Sequence, residues 1–106
     1  MPTYKVLAQS APSATTATTL YTATSATIVS TINVANTGGA ADTIRIAVRP
    51  AGASLANQHY IAYGVPLAAG AVFSIQGGIT LANTDVITVY STTGTTSFSA
   101  FGSDGN

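Results

Sequence analysis

Residues 42–63, DTIRIAVRPAGASLANQHYIAY, contain the pattern that decides the fold. Apolar residues alternate here with polar, basic or small ones: Ile44, Ile46 and Val48 against Thr43, Arg45, Ala47 and Arg49. Side chains on a strand point alternately to its two faces, so this pattern predicts an apolar inner face and a basic outer face. Pro50 cannot donate a ladder hydrogen bond and should end the strand. A loop around Gly52 then leads to a second predicted strand over residues 58–63.

Short strands separated by turn residues are predicted along the rest of the chain. They cover residues 3–9, 20–23, 26–35, 71–76, 79–81, 86–91 and 97–101. In residues 26–35 we expect Ile28, Ser30, Ile32 and Val34 to face the core. The turn residues at 36–39 should join this strand to residues 43–49 as an antiparallel pair. Gly77-Gly78 should break the strand that precedes it.

These patterns predict an all-β fold, because no stretch shows sustained 3.6-residue periodicity. We expect an antiparallel β-sandwich of seven to eight short strands, immunoglobulin-like or jelly-roll. At 106 residues the chain should be a single domain, residues 1–106. Residues 1–19 form either a strand with its connector or an extended N-terminal arm. Residues 102–106 are small and polar and should fray.

The charged fraction is unusually low, at 6% against about 25% in a typical soluble domain. The formal net charge is zero, which leaves little repulsion between copies of the chain. Either this is a secreted or particle-borne module that tolerates neutrality, or other subunits cover much of its surface. We favour the second interpretation.

Several partner classes do not fit this composition. Three basic residues are too few for a nucleic-acid binder, which typically uses about 6–10 phosphate contacts. A polybasic membrane patch is missing for the same reason. The first residues have no apolar run of the signal-peptide type, so we expect release into the cytoplasm of the cell that makes the protein.

Residues for catalysis or metal binding are scarce. His59 is the only histidine, and a hydrogen-bonded strand histidine is favoured over a general base or a pH-sensitive group. Asp42 and Asp85 each lie where a turn meets a strand, where an aspartate often accepts backbone N–H bonds. A calcium site shared by these two is a remote alternative, because the calcium-loop spacing is missing. The sequence predicts no catalytic residue, no cofactor and no metal, and hence no enzyme.

One group of residues is of the types enriched at protein interfaces: Arg45, Arg49, His59, Tyr60 and Tyr63. Tyr4 is a sixth candidate, in the alternative N-terminal arm. The competing interpretation is that the arginines pair with Asp42 or Asp85, or are simply solvated on the outer face.

Tyrosines also allow a second kind of surface, one that stacks on sugar rings. The candidates for such a surface are Tyr21, Tyr60, Tyr63 and Tyr90. Tryptophan is absent, however, and tyrosines also serve ordinary sheet packing.

The segments TIRIAVRPAGASLANQHYIAY, VPLAAG, GITLANTDVITVYS and SFSAFGS, with the opening MPTYKVLAQSAP, carry a resemblance over nearly the whole chain. The chain resembles small β-rich virion structural proteins of tailed bacteriophages, of the cyanobacterial and environmental phage type. The similar sequences are apolar and alternating where this chain has VFSIQGG at residues 72–78, so an irregular strand is expected there.

The resemblance implies a non-enzymatic virion component assembled in the host cytoplasm. A capsid decoration or cement protein that contacts other virion proteins as a homo-oligomer is the leading expectation. A neck, tail or fibre accessory protein and a receptor- or carbohydrate-binding module are the alternatives.

Overall fold

The computed structural model describes residues 4–103, whose regular secondary structure is nearly all strand. The strands within these residues are β1 Tyr4–Ser10, β2 Thr18–Thr22, β3 Thr27–Asn36, β4 Asp42–Arg49, β5 Tyr60–Leu67, β6 Val72–Leu81, β7 Val86–Ser91 and β8 Thr96–Ser103. Two short 3₁₀ turns, Pro50–Gly52 and Asn57–His59, lie between β4 and β5. The predicted all-β class is confirmed.

The strands form two antiparallel sheets that pack face to face, β1-β8-β3-β6 and β2-β7-β4-β5. The first half of the chain pairs with the second half throughout: β1 with β8, β2 with β7, β3 with β6 and β4 with β5. The chain is therefore one long folded-back ribbon rolled into two layers, which is the jelly-roll arrangement. The predicted antiparallel sandwich is confirmed, and its strand order is that of a jelly-roll.

The core lies between the sheets and takes residues from both of them. Ile44 and Ile46 are fully buried, which confirms the inner face predicted for β4, while Val48 packs at the margin of the core. Phe98 of β8 is the largest fully buried side chain, and Ile32 comes from the same sheet. Burying such a side chain contributes about 1.5–3 kcal/mol, so these residues supply much of the driving force for folding.

A bulge in β3 overturns part of the predicted core face. Ile28 is 49% exposed and Ser30 is also exposed, whereas Val29 is fully buried. The register shifts between Val29 and Thr31 against both neighbouring strands. Because one extra residue reverses the alternation, the prediction holds for Ile32 and Val34 but is wrong on the other side of the bulge.

The predicted pairing of β3 with β4 is wrong, because the two strands lie in opposite sheets. Buried Asn36 fixes the corner at which the chain crosses over. Its amide donates to the carbonyls of Ala40 at 2.8 Å and Leu67 at 3.1 Å. Its Oδ1 accepts from Gly38 N–H and the Thr95 hydroxyl, both at 3.0 Å. Because these hydrogen bonds hold the corner, the chain crosses to the other sheet instead of forming a hairpin.

The predicted break at Gly77-Gly78 is wrong. Strand β6 is continuous, and the two glycines form a bulge inside it. Val29 pairs with Ile79 and Thr31 pairs with Gln76, so the two glycines lie opposite one residue of β3. Gly78 has φ +73°, a conformation that glycine adopts without strain. The expected irregularity at residues 72–78 is therefore this bulge.

The two described ends of the chain meet in the first sheet. The sequence leaves open whether the N-terminal stretch is a strand or an extended arm. The structure shows a strand that pairs with β8, with Tyr4 opposite Ser103. The predicted fraying is wrong for Gly102 and Ser103, which are buried in β8. A Cβ at Gly102 would lie 2.0 Å from the Ile28 carbonyl oxygen. The remaining residues of the predicted tail, 104–106, lie outside the described part.

Asp42 ties the start of β4 to the hairpin between β7 and β8. Its buried carboxylate accepts hydrogen bonds from the Ser91 and Thr96 hydroxyls and from the N–H groups of Thr43 and Thr93. Burial by itself raises the pKa of Asp42, but these four hydrogen bonds outweigh it and hold the pKa below its ordinary value. The predicted acceptance of nearby backbone N–H bonds is confirmed here.

Candidate functional site

The outer face of the β2-β7-β4-β5 sheet brings together the basic and aromatic residues of the candidate site. Arg45 on β4 lies directly opposite Tyr63 on β5 and Tyr90 on β7. Residues opposite each other in adjacent antiparallel strands point to the same face, so the three form one row across the sheet. With neighbouring Tyr60 they make up what we call the Arg45 cluster.

Arg45 is sandwiched between two tyrosine rings. Its guanidinium carbon lies 4.4 Å from the ring centroid of Tyr63 and 4.3 Å from that of Tyr90. Both distances are within the range of cation–π attraction. Within residues 4–103 Arg45 makes no hydrogen bond or salt bridge, so the predicted alternative of pairing with Asp42 or Asp85 is wrong for this arginine.

Tyr60 and Tyr63 share a face because β5 is irregular. In a regular strand, residues three apart point to opposite faces. Here the register shifts between the pairs Ile46–Ala62 and Ala47–Tyr60, so one extra residue of β5 lies between the two tyrosines. The Tyr60 and Tyr63 ring centroids lie 4.9 Å apart with an interplanar angle of 83°, an edge-to-face contact. Tyr63 remains 61% exposed, which makes it the most prominent aromatic residue of the cluster.

The loop between β4 and β5 covers the part of this outer face next to the cluster. Arg49 anchors it from below, with Nε donating to the Thr88 hydroxyl at 3.0 Å and Nη1 to the Ala53 carbonyl at 3.1 Å. Arg49 thus shares the predicted outer face with Arg45, but it is committed to the protein's own backbone and side chains.

Asp85 links the first 3₁₀ turn to the turn between β6 and β7. Its Oδ1 accepts from Ala51 N–H and its Oδ2 from Ala82 N–H, each at 2.9 Å, as predicted for a turn aspartate. The hydrogen bond from Ala51, followed by that from Ala82, lowers the pKa of Asp85. The carboxylate stays ionised at neutral pH and keeps the loop closed on the sheet.

His59 lies in the second 3₁₀ turn and is buried. Its Nδ1 accepts a hydrogen bond from Ala56 N–H at 3.1 Å. The predicted hydrogen-bonded histidine is confirmed, but the predicted strand is wrong at this residue, because β5 begins at Tyr60. The imidazole shapes the loop that carries Asn57.

An open cleft of about 360 Å³ lies between the loop and the Arg45 cluster, lined by Asn57, Tyr60 and Tyr63. The side chain of Asn57 is exposed, and its amide makes no hydrogen bond within residues 4–103. The cleft therefore offers two aromatic rings and one uncommitted amide to a ligand.

The structure brings together only part of the predicted interface set. Arg45, Tyr60 and Tyr63 meet in the cluster, and Arg49 and His59 support the adjoining loop. Tyr4 lies in β1, at the edge of the other sheet. The sugar-stacking candidates divide as well: Tyr21 packs against the core, and Tyr90 joins the cluster.

Sequence reasoning missed Asn57 altogether and placed Tyr90 outside the interface set. The clean alternation of β7 indicates that Tyr90 lies on the outer face, but only the strand order puts Tyr90 beside Arg45. Asn57 carried no signal, because its position depends on how the loop folds back.

The remote calcium site shared by Asp42 and Asp85 is not formed. Asp42 binds Ser91 at one end of β7, and Asp85 immediately precedes Val86 at the other. Six residues of strand separate these ends by about 20 Å. Among residues 4–103 no group of three or more His, Cys, Asp or Glu side chains could hold a metal ion.

Comparison with known proteins finds no matching family model, no matching curated protein and no matching solved structure. Within the described residues there is no helix with the length and apolar character needed to cross a membrane.

Proposed function

We propose that this protein is a non-enzymatic structural component of a tailed-phage virion. In this proposal it is a capsid decoration or cement protein that stabilises the particle by packing its sheet edges and loops on neighbouring subunits. The observation that carries the proposal is strand β6, an edge strand of ten residues that contains neither a charged residue nor a proline.

Strand β6 has one feature that discourages edge pairing, its bulge at Gly77-Gly78, whereas each of the other three described sheet edges has two or more. Strand β1 has exposed Lys5 and a register shift, and β2 is only five residues long. Strand β5 contains Pro66 and two register shifts. Against these three edges, β6 is the most open to another chain.

The first half of β6 is regular as well as uncharged. Val72 through Gln76 pair with β3 without a register shift. Val72 is 64% exposed, while Phe73 and Ile75 are only partly buried at the margin of the core. A neighbouring subunit at this edge would satisfy unpaired backbone groups and cover apolar surface. An edge of this kind left open is an aggregation hazard, which supports a role inside an assembly.

The composition and the architecture agree with this role. A surface so poor in charge gives little repulsion between packed copies, and many weak contacts on a repetitive lattice add up to high avidity. Jelly-rolls also serve as viral capsid and lectin domains. This last point is a fold-level analogy, since one fold hosts many functions.

Labelling this protein and locating it on purified phage particles by electron microscopy tests the proposal. We expect label on the particle surface in a regular array. Replacing both Val72 and Gln76 with lysine should remove most copies, because charge on an edge strand opposes pairing. The matched control replaces Ile28 and Ser30, exposed on interior strand β3, with lysine and should retain occupancy. Absence of the unmodified protein from purified particles would refute the proposal.

A second candidate function, a receptor- or carbohydrate-binding module on a fibre or tail, is favoured by the Arg45 cluster and its cleft. An aromatic side chain as exposed as Tyr63, fixed by two neighbouring residues, is typical of a surface prepared for contact.

A further inference from the structure

We propose that the cleft lined by Asn57, Tyr60 and Tyr63, together with Arg45, binds an acidic sugar. Arg45 takes the carboxylate, and the tyrosine rings and the Asn57 amide contact the sugar ring and its hydroxyls. This inference rests on the second candidate function, carbohydrate binding, and identifies its site and the chemical class of its ligand.

On this face of the sheet, Arg45 is the cation whose hydrogen-bond donors remain available to a ligand. Its guanidinium carbon lies over the rings of Tyr63 and Tyr90, and its N–H donors make no hydrogen bond within residues 4–103. Those donors form a planar fork that matches the two oxygens of a carboxylate. Arg49, four residues along the same strand, instead donates hydrogen bonds to Thr88 and Ala53.

The acidic residues of the described chain do not neutralise Arg45. The carboxylate of Asp42 faces inward to Ser91 and Thr96. That of Asp85 is held by the N–H groups of Ala51 and Ala82, beyond the far end of β7. The positive charge of Arg45 is therefore available to an anion from outside.

The aromatic part of the site is already in place before a ligand arrives. Tyr63 is held by Arg45 at 4.4 Å and by the edge-to-face contact with Tyr60. A tyrosine side chain has two rotatable torsions, and fixing them in advance lowers the entropic cost of binding. The exposed part of the Tyr63 ring offers an apolar surface to the C–H groups of a sugar.

The size and the polar lining of the cleft favour one sugar unit over a peptide. A volume of about 360 Å³ is near the lower end of small-ligand sites, roughly 300–1,000 Å³. The Asn57 amide both donates and accepts, as sugar hydroxyls do. An acidic peptide would use Arg45 but would leave the ring-sized cleft beside it unfilled.

The test compares two probes that differ only in the carboxylate: methyl β-D-glucuronide and methyl β-D-glucoside. Each is titrated into the full chain while NMR follows the Arg45 Nε–H signal and the Tyr63 ring signals. We expect the glucuronide to shift both sets of signals and to bind at least about tenfold more tightly, because hydrogen bonds to a charged group are lost with the glucoside.

Variants separate the two halves of the site. Arg45→Lys keeps the charge but loses the planar fork, and should weaken glucuronide binding about tenfold. Tyr63→Ala should weaken both sugars, whereas the control Ile61→Ala, an exposed truncation on the same strand, should leave binding unchanged. Thermal unfolding of each variant verifies that it is folded.

Three results would overturn the inference: equal affinity for the two glycosides, no shift with either at millimolar concentration, or an Arg45 shift only with a glutamate-containing peptide. These measurements use the isolated protein, so their failure leaves the location on virions untouched. Absence from virions would equally leave a measured sugar affinity intact.

Discussion

Strand β4 carries three ionic side chains, and two of them, three residues apart, have opposite environments. Asp42 is buried and receives four hydrogen bonds from four residues. Arg45 lies on the outer face between two tyrosine rings, with its in-plane donors uncommitted within residues 4–103. The charge of Asp42 is hydrogen-bonded within the fold, whereas the charge of Arg45 remains available for recognition. The number of satisfied hydrogen-bonding positions distinguishes a structural ion from an interaction site.

Deleting the Asp42 carboxylate should have the largest effect on stability. Asp42→Ala leaves the Ser91 and Thr96 hydroxyls and two N–H groups without their acceptor, which should cost about 3 kcal/mol. For a domain of this size the midpoint of thermal unfolding should fall by more than about 10 °C. Calorimetry measures this. A change within about 1 kcal/mol would show that the network does not hold the β7–β8 hairpin.

Acid should weaken the same network more gradually. The pKa of Asp42 is lower in the folded protein than its ordinary value of 3.8, so the native state favours the ionised form. Its stabilising contribution is complete above that ordinary value and is lost as the pH falls through the lowered, folded value. Urea unfolding at neutral pH and at successive points below pH about 4 should show the decline. Asp42→Asn should flatten this decline, and the slope that remains would belong to groups such as Asp85. An unchanged slope in this variant would contradict the assignment.

Removing Arg45 should affect stability least and ligand recognition most. Arg45→Leu loses two exposed cation–π contacts, worth about 0.5–1 kcal/mol each, while the leucine stem still covers the strand. We expect unfolding within about 2 kcal/mol of the unmodified protein, together with loss of the preference for glucuronide. A loss of stability as large as that of Asp42→Ala would assign Arg45 a structural role and remove the contrast between the two residues.

The same comparison shows how far sequence reasoning reaches. Alternation identified β4 and its two faces, and β7 was predicted with its observed bounds. The turn role of Asp42 followed from its position before a strand. None of these inferences required knowledge of which strands are neighbours.

Bulges and sheet order account for what was missed. A single extra residue reversed the faces of β3 around Ile28 and Val29. In β5 one register shift, between the Ile46–Ala62 and Ala47–Tyr60 pairs, puts Tyr60 and Tyr63 on one side, where simple alternation would separate them. The sandwich between Tyr63 and Tyr90 exists because β5 and β7 flank β4. Strand order depends on pairings between distant parts of the chain, which local patterns do not encode.

The pairing of β1 with β8 has a practical consequence for anyone who handles this molecule. Tyr4 lies opposite Ser103, and neighbouring strands run about 5 Å apart, so both described ends of the chain emerge together from one side of the roll. Fluorescent labels attached at residue 4 and at residue 103 would sit at nearly the same spot, on the sheet that does not carry the Arg45 cluster.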